Sequence, residues 1–306
     1  MLSLLLRCFI APLQQAGTSR STFMQCLSRY ADVARALRDP NLRCDTPDGE
    51  MHRSFRRDAS HAYSPARVST WRLAAERLLA RQEPCSDLVA DFAKPWSLQF
   101  AAEVTQASSQ DLNRLEEKAG AILASAAEPS DETLRQRAAV ATTALADSLG
   151  SALGVQAFVA LSKTLPCFLG NAWVALFQHP QEMRRLREDQ GQMPNAIEEL
   201  LRYAGPSQAV LRRDPEGHLV ALQLAAANRD PDEFHQPDRL DFGRNPVRHL
   251  AFGSGSHGCL GAGLIRMAAE VATREMVERY GSAQMISFDE SCGFGIRCVT
   301  ALRVRL

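Results

Sequence analysis

The sequence has no CxxC pair. Its eight cysteines, Cys8, Cys26, Cys44, Cys85, Cys167, Cys259, Cys292 and Cys298, are scattered singly, which argues against a structural zinc site and against a dense disulfide framework. Most are expected to be small buried hydrophobes. Nor is there an excess of charge of either sign: 35 Lys plus Arg stand against 35 Asp plus Glu. No global field therefore draws the chain to nucleic acid or to an anionic membrane. There is no internal repeat and no low-complexity linker, and Pro and Gly fall at turns between helical segments, so one domain over 1–306 is expected. A clean membrane span is lacking too. The opening MLSLLLRCFIAP has Arg7 inside its apolar run and no A-x-A-like cleavage pattern, and reads as a first strand or helix. Gly154 to Phe177 is long and apolar but carries Gln156, Ser162, Lys163 and Pro166, and reads as a core helix. By default, the cytoplasm is the expected location.

What is present is mainly helical spacing. YADVARALRDP places Val33 and Leu37 four apart and ends at a proline; SPARVSTWRLAAERLLARQEP, NAIEELLRYAGP and CLGAGLIRMAAEVATREMVERY behave alike. Strand-like pieces sit near Thr22 to Leu27, His218 to Leu224 and in the closing TALRVRL. The expected fold class is mainly α, with a small β-sheet region beside a helical body. A chain of 306 residues, 45% hydrophobic, can bury a large core.

The most informative segment is HLAFGSGSHGCLGAGLIRMAAEV, His249 to Val271, where a glycine-rich turn delivers a cysteine to the start of a helix. Gly253, Gly255 and Gly258 let the backbone turn tightly and approach a flat ligand. Helix-terminal N–H groups ahead of Cys259 favour negative charge and are expected to stabilise a thiolate, which can ligate iron. Two other readings compete. GSGSHG is formally a GxGxxG that could cradle a pyrophosphate, but no strand with a closing acid follows. A nucleophilic Cys259 paired with His257 would need an oriented base and oxyanion donors that the sequence does not reveal.

Phe252, Gly253, Gly255, His257, Cys259 and Gly261 match F-G-x-G-x-H-x-C-x-G, and the chain resembles the cytochromes P450. Other segments resemble that family in the same order. EELLRY carries Glu199 and Arg202 like its E-x-x-R helix, with Arg239 of PDRLDFGR as the arginine completing the network; HRSFR resembles its H-x-x-x-R helix through His52 and Arg56. The resemblance implies a P450-like helical fold and haem b (iron protoporphyrin IX) with Cys259 as axial iron ligand. It implies Phe252 packing near the sulfur, and His52, Arg56, His257 and Arg212, or else Arg213, near the propionates. A thiolate ligand pushes electron density to the iron and favours O–O cleavage. The implied function is oxidation of a small organic substrate with O2 and electrons from a ferredoxin and reductase, with Arg53, Arg57 and Arg266 as a docking patch.

The resemblance also implies departures. The N-terminal helix is largely missing, residues 107–151 compress the substrate-covering helices, and LRRDPEGHLVALQLAAANRDP lacks room for the family's usual β-hairpin insertion. A shorter lid implies a smaller or more open distal pocket. Where the family carries A-G-x-(D/E)-T, this chain reads Ala160-Leu161-Ser162-Lys163-Thr164, followed by Pro166. Thr164 is the remaining catalytic candidate. Leu161 should crowd the oxygen groove, an exposed Lys163 replaces an acid, and Pro166 should kink the helix. Three accounts stay open: Thr164 and water suffice, Lys163 anchors an anionic substrate or a peroxide-driven reaction, or haem is retained without monooxygenation. The substrate wall is expected around Ala160 to Leu165, Gln208 to Val210 and Phe294 to Ile296.

Overall fold

The computed structural model describes residues 24–44, 49–245 and 247–306. The expectation for MLSLLLRCFIAP lies outside these residues. The chain opens with strand β1 (Met24–Leu27) and helices α1 (Tyr30–Ala36), α2 (Glu50–Ala62) and α3 (Pro65–Leu79). A π-helical turn at Leu88–Ala93 leads into α4 (Lys94–Thr105). Next come α5 (Leu112–Ala127) and α6 (Glu132–Leu149), which pack on each other in the region where a shortened lid was expected. Ser151 then caps α7 (Ala152–Gln178) through the Gly154 N–H. Helices α8 (Pro180–Glu188) and α9 (Met193–Ala204) are followed by β2 (Val210–Arg213), β3 (Leu219–Leu222) and the short α10 (Leu224–Ala227). The long α11 (Ala262–Tyr280) and the hairpin β4 (Gln284–Cys292) and β5 (Arg297–Arg305) close the chain.

Helix α7 runs through the middle of the core. Leu161, Leu165, Phe168, Leu169, Trp173 and Leu176 are almost fully buried on it, so its apolar composition serves packing, as expected. Pro166 does not break it. Residues Ala160–Thr164 wind as a π-helical turn just before the proline, widening the ladder where the missing N–H and the ring would conflict with an ordinary α-helix. Trp173 Nε1 donates to Thr273 Oγ1 at 3.2 Å, tying α7 to α11. Asn171 holds β5 from both sides, donating to the Arg297 carbonyl and accepting from the Val299 N–H.

The two sheets are small. In the first, β1 runs parallel to β3 and β2 antiparallel to it; the second is the β4–β5 pair. A short β2–β3 hairpin forms in the segment expected to lack room for the family's usual β-hairpin insertion. Its tight turn is closed by Asp214, which accepts from the His218 N–H at 2.7 Å, and by Gly217 at φ 88°. The cysteines also differ from expectation. Cys26 and Cys292 are exposed, Cys259 is accessible from an internal cavity whose wall it forms, Cys44 and Cys85 are half-buried, and Cys167 on α7 forms a disulfide with Cys298 on β5.

Candidate functional site

The support beneath the cysteine loop starts on α9, where Glu199 and Arg202 are fully buried and joined in a bidentate pair at 2.7 and 2.8 Å. Arg202 also donates to the carbonyls of Asn228, Pro237 and Arg239. The side chain that completes the network is Arg244, whose Nε donates to Glu199 Oε1 at 3.1 Å. Arg239 contributes its carbonyl, which corrects the expected assignment. Both arginines lie in one irregular segment whose side-chain directions no periodicity sets. Asn228, missed in the sequence, carries the support onward: its Oδ1 accepts from the Leu250 N–H at 2.7 Å.

The neighbouring Glu198 accepts from Arg266 Nε and Nη2 at 2.6 and 2.9 Å and faces His249 Nε2 at 3.2 Å. Burial would raise its pKa, but these hydrogen bonds and the Arg266 charge outweigh burial and hold the carboxyl down at about 2. The Arg266 guanidinium also lies 4.7 Å from the Phe252 ring centre. Arg266 is thereby committed to bracing the loop, while Arg53 and Arg57 both reach Glu50. The three arginines of the expected docking patch thus each have an ion-pair partner within the chain and keep their exposure.

The loop itself is closed by the Cys259 N–H donating to the Phe252 carbonyl at 2.8 Å. Gly253 and Gly255 have φ of 66° and 74°, a region that favours glycine. A Cβ on Gly255 would also meet the Leu37 carbonyl at 2.7 Å, since the loop packs against the end of α1. From α2, Arg56 Nη1 donates to the Gly258 carbonyl at 2.9 Å. His52 stacks on His257 with ring centres 4.4 Å apart, and Cys44 Sγ lies 3.2 Å from His257 Nε2. Sequence reasoning missed Cys44, whose partner is distant along the chain.

Cys259 opens onto a cavity of about 290 Å³, with Phe252, Leu264 and Ile265 beside it and Ala160, Leu161 and Thr164 contributed by α7. Burial pushes its thiol pKa up, while the Gly261 N–H and the charges of Arg266 and Arg56 pull it down. Burial, with the Cys259 sulfur adding to it, also pushes the Tyr63 phenol on the same wall up to about 12. Arg212 lines the cavity; Arg213 does not.

Several distal expectations change. Leu161 does face the cavity and is fully buried. Lys163 does not line it. Only 18% of that side chain is exposed, and its Nζ pairs with Glu116 Oε1 of α5 at 2.7 Å. An exposed lysine anchoring a substrate anion is therefore not what is found. Ser207 and Val210 line the wall as the segment after Pro206 was expected to, but Gln208 turns back to the Gly205 and Pro206 carbonyls. Phe294 does not line the cavity, and its backbone N–H donates to Glu128 Oε1 at 3.3 Å.

Comparison with known proteins decides the family. A cytochrome P450 family model matches residues 193–286. Cytochrome P450 CYP107DY1 of Priestia megaterium is 30% identical over 290 residues, covering 79% of this chain and 70% of the relative. The chain belongs to the cytochrome P450 family. A shorter match, 40% identical over 139 residues, links it to cytochrome P450 107B1 of Saccharopolyspora erythraea and covers 42% of this chain and 34% of that relative. Among solved P450 structures, that of CYP109B1 from Bacillus subtilis aligns with a TM-score of 0.82 at 20% identity, covering 97% of this chain and 98% of that one. P450BioI in complex with an acyl carrier protein bearing hexadec-9Z-enoic acid aligns at 0.83 and 23% identity, covering 92% and 91%. These two likenesses speak for the fold, mainly helical with small sheets.

P450 membership implies haem, and the residues fit it. The Cys259 sulfur faces open space inside the protein, a Cβ at Gly261 would meet nothing within 4 Å, and Arg212 and His257 stand on the same wall, with Arg56 bound to the loop and His52 against His257.

Proposed function

We propose that this P450 oxidises a small, mainly apolar organic molecule in the cytoplasm, using O2 and electrons from a ferredoxin-type donor. The observation that carries the reading is the placement of Cys259 and Thr164 on the walls of one cavity. Cys259 would ligate the iron of haem b, with Phe252 beside the sulfur and His52, Arg56, Arg212 and His257 toward the propionates. Haem with a thiolate ligand supplies O2 activation by favouring O–O cleavage. Around it, the chain's own groups have separate tasks. Glu199, Arg202 and Arg244 fix the floor below the loop, and Arg266 and Glu198 fix the Phe252 ring. Leu161, Phe168 and Leu264 present an apolar wall that orients the substrate and excludes water. The Thr164 hydroxyl, together with water, would hold a proton facing the cavity.

A second reading, haem bound with peroxide-driven chemistry or without monooxygenation, is favoured by one observation: Lys163, paired with Glu116, precedes Thr164, and among the described residues no acidic side chain lines the cavity. The reduced, CO-bound absorption spectrum tests the common ground. A red-shifted thiolate Soret band is expected, and Cys259→Ala should abolish it; a well-folded protein that takes up no haem would sink both readings. Product formation with an electron-donor system separates the first from the second, for which turnover appears with peroxide alone or not at all.

A further inference from the structure

The disulfide between Cys167 and Cys298 takes no part in the site chemistry, yet it falls where the elements that wall the cavity meet. Cys167 lies three residues past Thr164 on α7 and is 2% exposed, whereas Cys298, near the start of β5, is half-buried, so what exposure the pair has is on the β5 side. Helix and strand run close together here. Asn171, one turn beyond Cys167, grips the residues on either side of Cys298, donating to the Arg297 carbonyl at 3.0 Å and accepting from the Val299 N–H at 2.8 Å. A Cβ on Gly170 would stand 3.1 Å from the Val299 carbonyl oxygen, so the absence of a side chain is what permits the approach.

The start of β5 and the turn before it also hold a part of the cavity wall and the end of α5. The Arg297 N–H donates to the Pro206 carbonyl at 2.9 Å and the Gln208 N–H to the Gly295 carbonyl at 2.8 Å, and Pro206 and Ser207 line the cavity. On the other side, the Gly295 N–H donates to the Ala127 carbonyl at 2.8 Å and the Phe294 N–H to Glu128 Oε1 at 3.3 Å. These bonds lie at the tip of a two-stranded hairpin, and single bonds of that kind open at low cost unless the chain behind them is held. The disulfide holds it, joining residues 131 apart in sequence. Glutathione keeps cytoplasmic thiols reduced, and disulfides that form there are mostly transient or redox-sensing. In the cytoplasmic setting proposed above, a bridge at this junction points to control rather than to permanent bracing.

We infer that Cys167 and Cys298 form a redox-controlled strap: closed, it docks the hairpin tip against the end of α5 and residues 206–208, and open, it loosens both and speeds entry to the cavity. The oxidant is glutathione disulfide. On closing, the Cys298 thiol gives its proton to water and its sulfur attacks the oxidant, forming a mixed disulfide and releasing one glutathione, which takes up a proton. The Cys167 thiol, deprotonated in turn, attacks the Cys298 sulfur and releases the second glutathione in the same way. Two protein thiols are oxidised and one glutathione disulfide is reduced; opening is the reverse exchange. The inference rests on the haem-cavity reading only for what enters, since the bridge and the hairpin can be followed without it.

The full chain, haem-loaded, is equilibrated in glutathione buffers from fully reduced to oxidised, its thiols are blocked under denaturing conditions, and its peptides are mapped by mass spectrometry. The cross-linked Cys167–Cys298 peptide should appear and disappear reversibly across the series. With the bridge open, the amides of Phe294, Gly295, Arg297, Gln208 and the end of α5 should exchange with deuterium about tenfold faster, while those in the middle of α11 keep their rate. Cys298→Ala should show the fast rate in every buffer. In stopped-flow absorption, 4-phenylimidazole, whose ring nitrogen can bind the iron, should enter faster in the reduced buffer. The strap is overturned by a bridge that never forms or that survives reduced glutathione, by exchange that ignores the bridge or rises equally throughout the chain, or by an entry rate indifferent to it. Absence of a thiolate spectrum overturns the haem reading instead, and the peptide map and hydrogen exchange then still report on the strap.

Discussion

At the scale of single residues, Glu199 shows how a buried carboxylate is made tolerable. It is fully enclosed and meets Arg202, Arg244 and the Asp241 N–H, so its charge is met on both oxygens. Removing one partner leaves charge uncompensated where water cannot reach. Arg244→Met should therefore cost about 2 kcal/mol and weaken haem retention, whereas Arg239→Met, which keeps the backbone carbonyl, should stay within about 0.5 kcal/mol. Urea unfolding of the two variants checks the ranking, and the reverse order would restore Arg239 as the third arginine. The glycine loop, the E-x-x-R pair and the H-x-x-x-R pair were legible because each is a short motif or a helical repeat. Arg244 was not, because loop residues lack a period. Cys44 against His257 and Lys163 against Glu116 were hidden for a different reason: they are long-range contacts, which no local pattern encodes.

At the scale of elements, the helices were the legible part and the strands only partly so. Three of the five strands were anticipated; β2 and β4 were not. Strand β4 pairs on one side only and is mostly exposed, so it carries no alternation of buried and exposed positions to read. The lid was expected to be shortened, but not where it would dock. The tip of the β4–β5 hairpin meets the end of α5: the Gly295 N–H donates to the Ala127 carbonyl at 2.8 Å, and Gln208 N–H donates to the Gly295 carbonyl at 2.8 Å. A Cβ on Gly295 would collide with the Ala126 carbonyl, which is backbone and cannot rotate aside. Gly295→Ala should cost about 1–3 kcal/mol, as overpacking does, and expose the α5–α6 amides to faster hydrogen exchange. Unchanged exchange in that helix pair would show that the hairpin tip does not hold the lid.

At the scale of the whole molecule, the candidate haem cleft lies where a large hydrophobic cluster and a smaller one meet the cysteine loop. The main hydrophobic cluster runs from Ala75 on α3 through α7 and α9 to Val304 on β5, and the smaller cluster of Val33, Leu37, Val220, Leu222 and Leu224 holds the first sheet and abuts the cysteine loop through Leu250. Central α7 supplies the distal wall while it also packs on α9, α11 and β5, so the distal and proximal sides share one structural member. That arrangement supports the proposal of a single domain over 1–306, and it predicts coupling between haem and global stability. Haem bound between Cys259 and the α7 wall should stabilise the native state, because a ligand that binds only the folded form raises stability by mass action. Calorimetry of the haem-loaded protein should show one transition, shifted upward relative to protein prepared without haem, with the proximal loop and the lid melting together. Two separated transitions, only one of which moves with haem, would instead divide the chain into a haem-binding unit and an independent remainder.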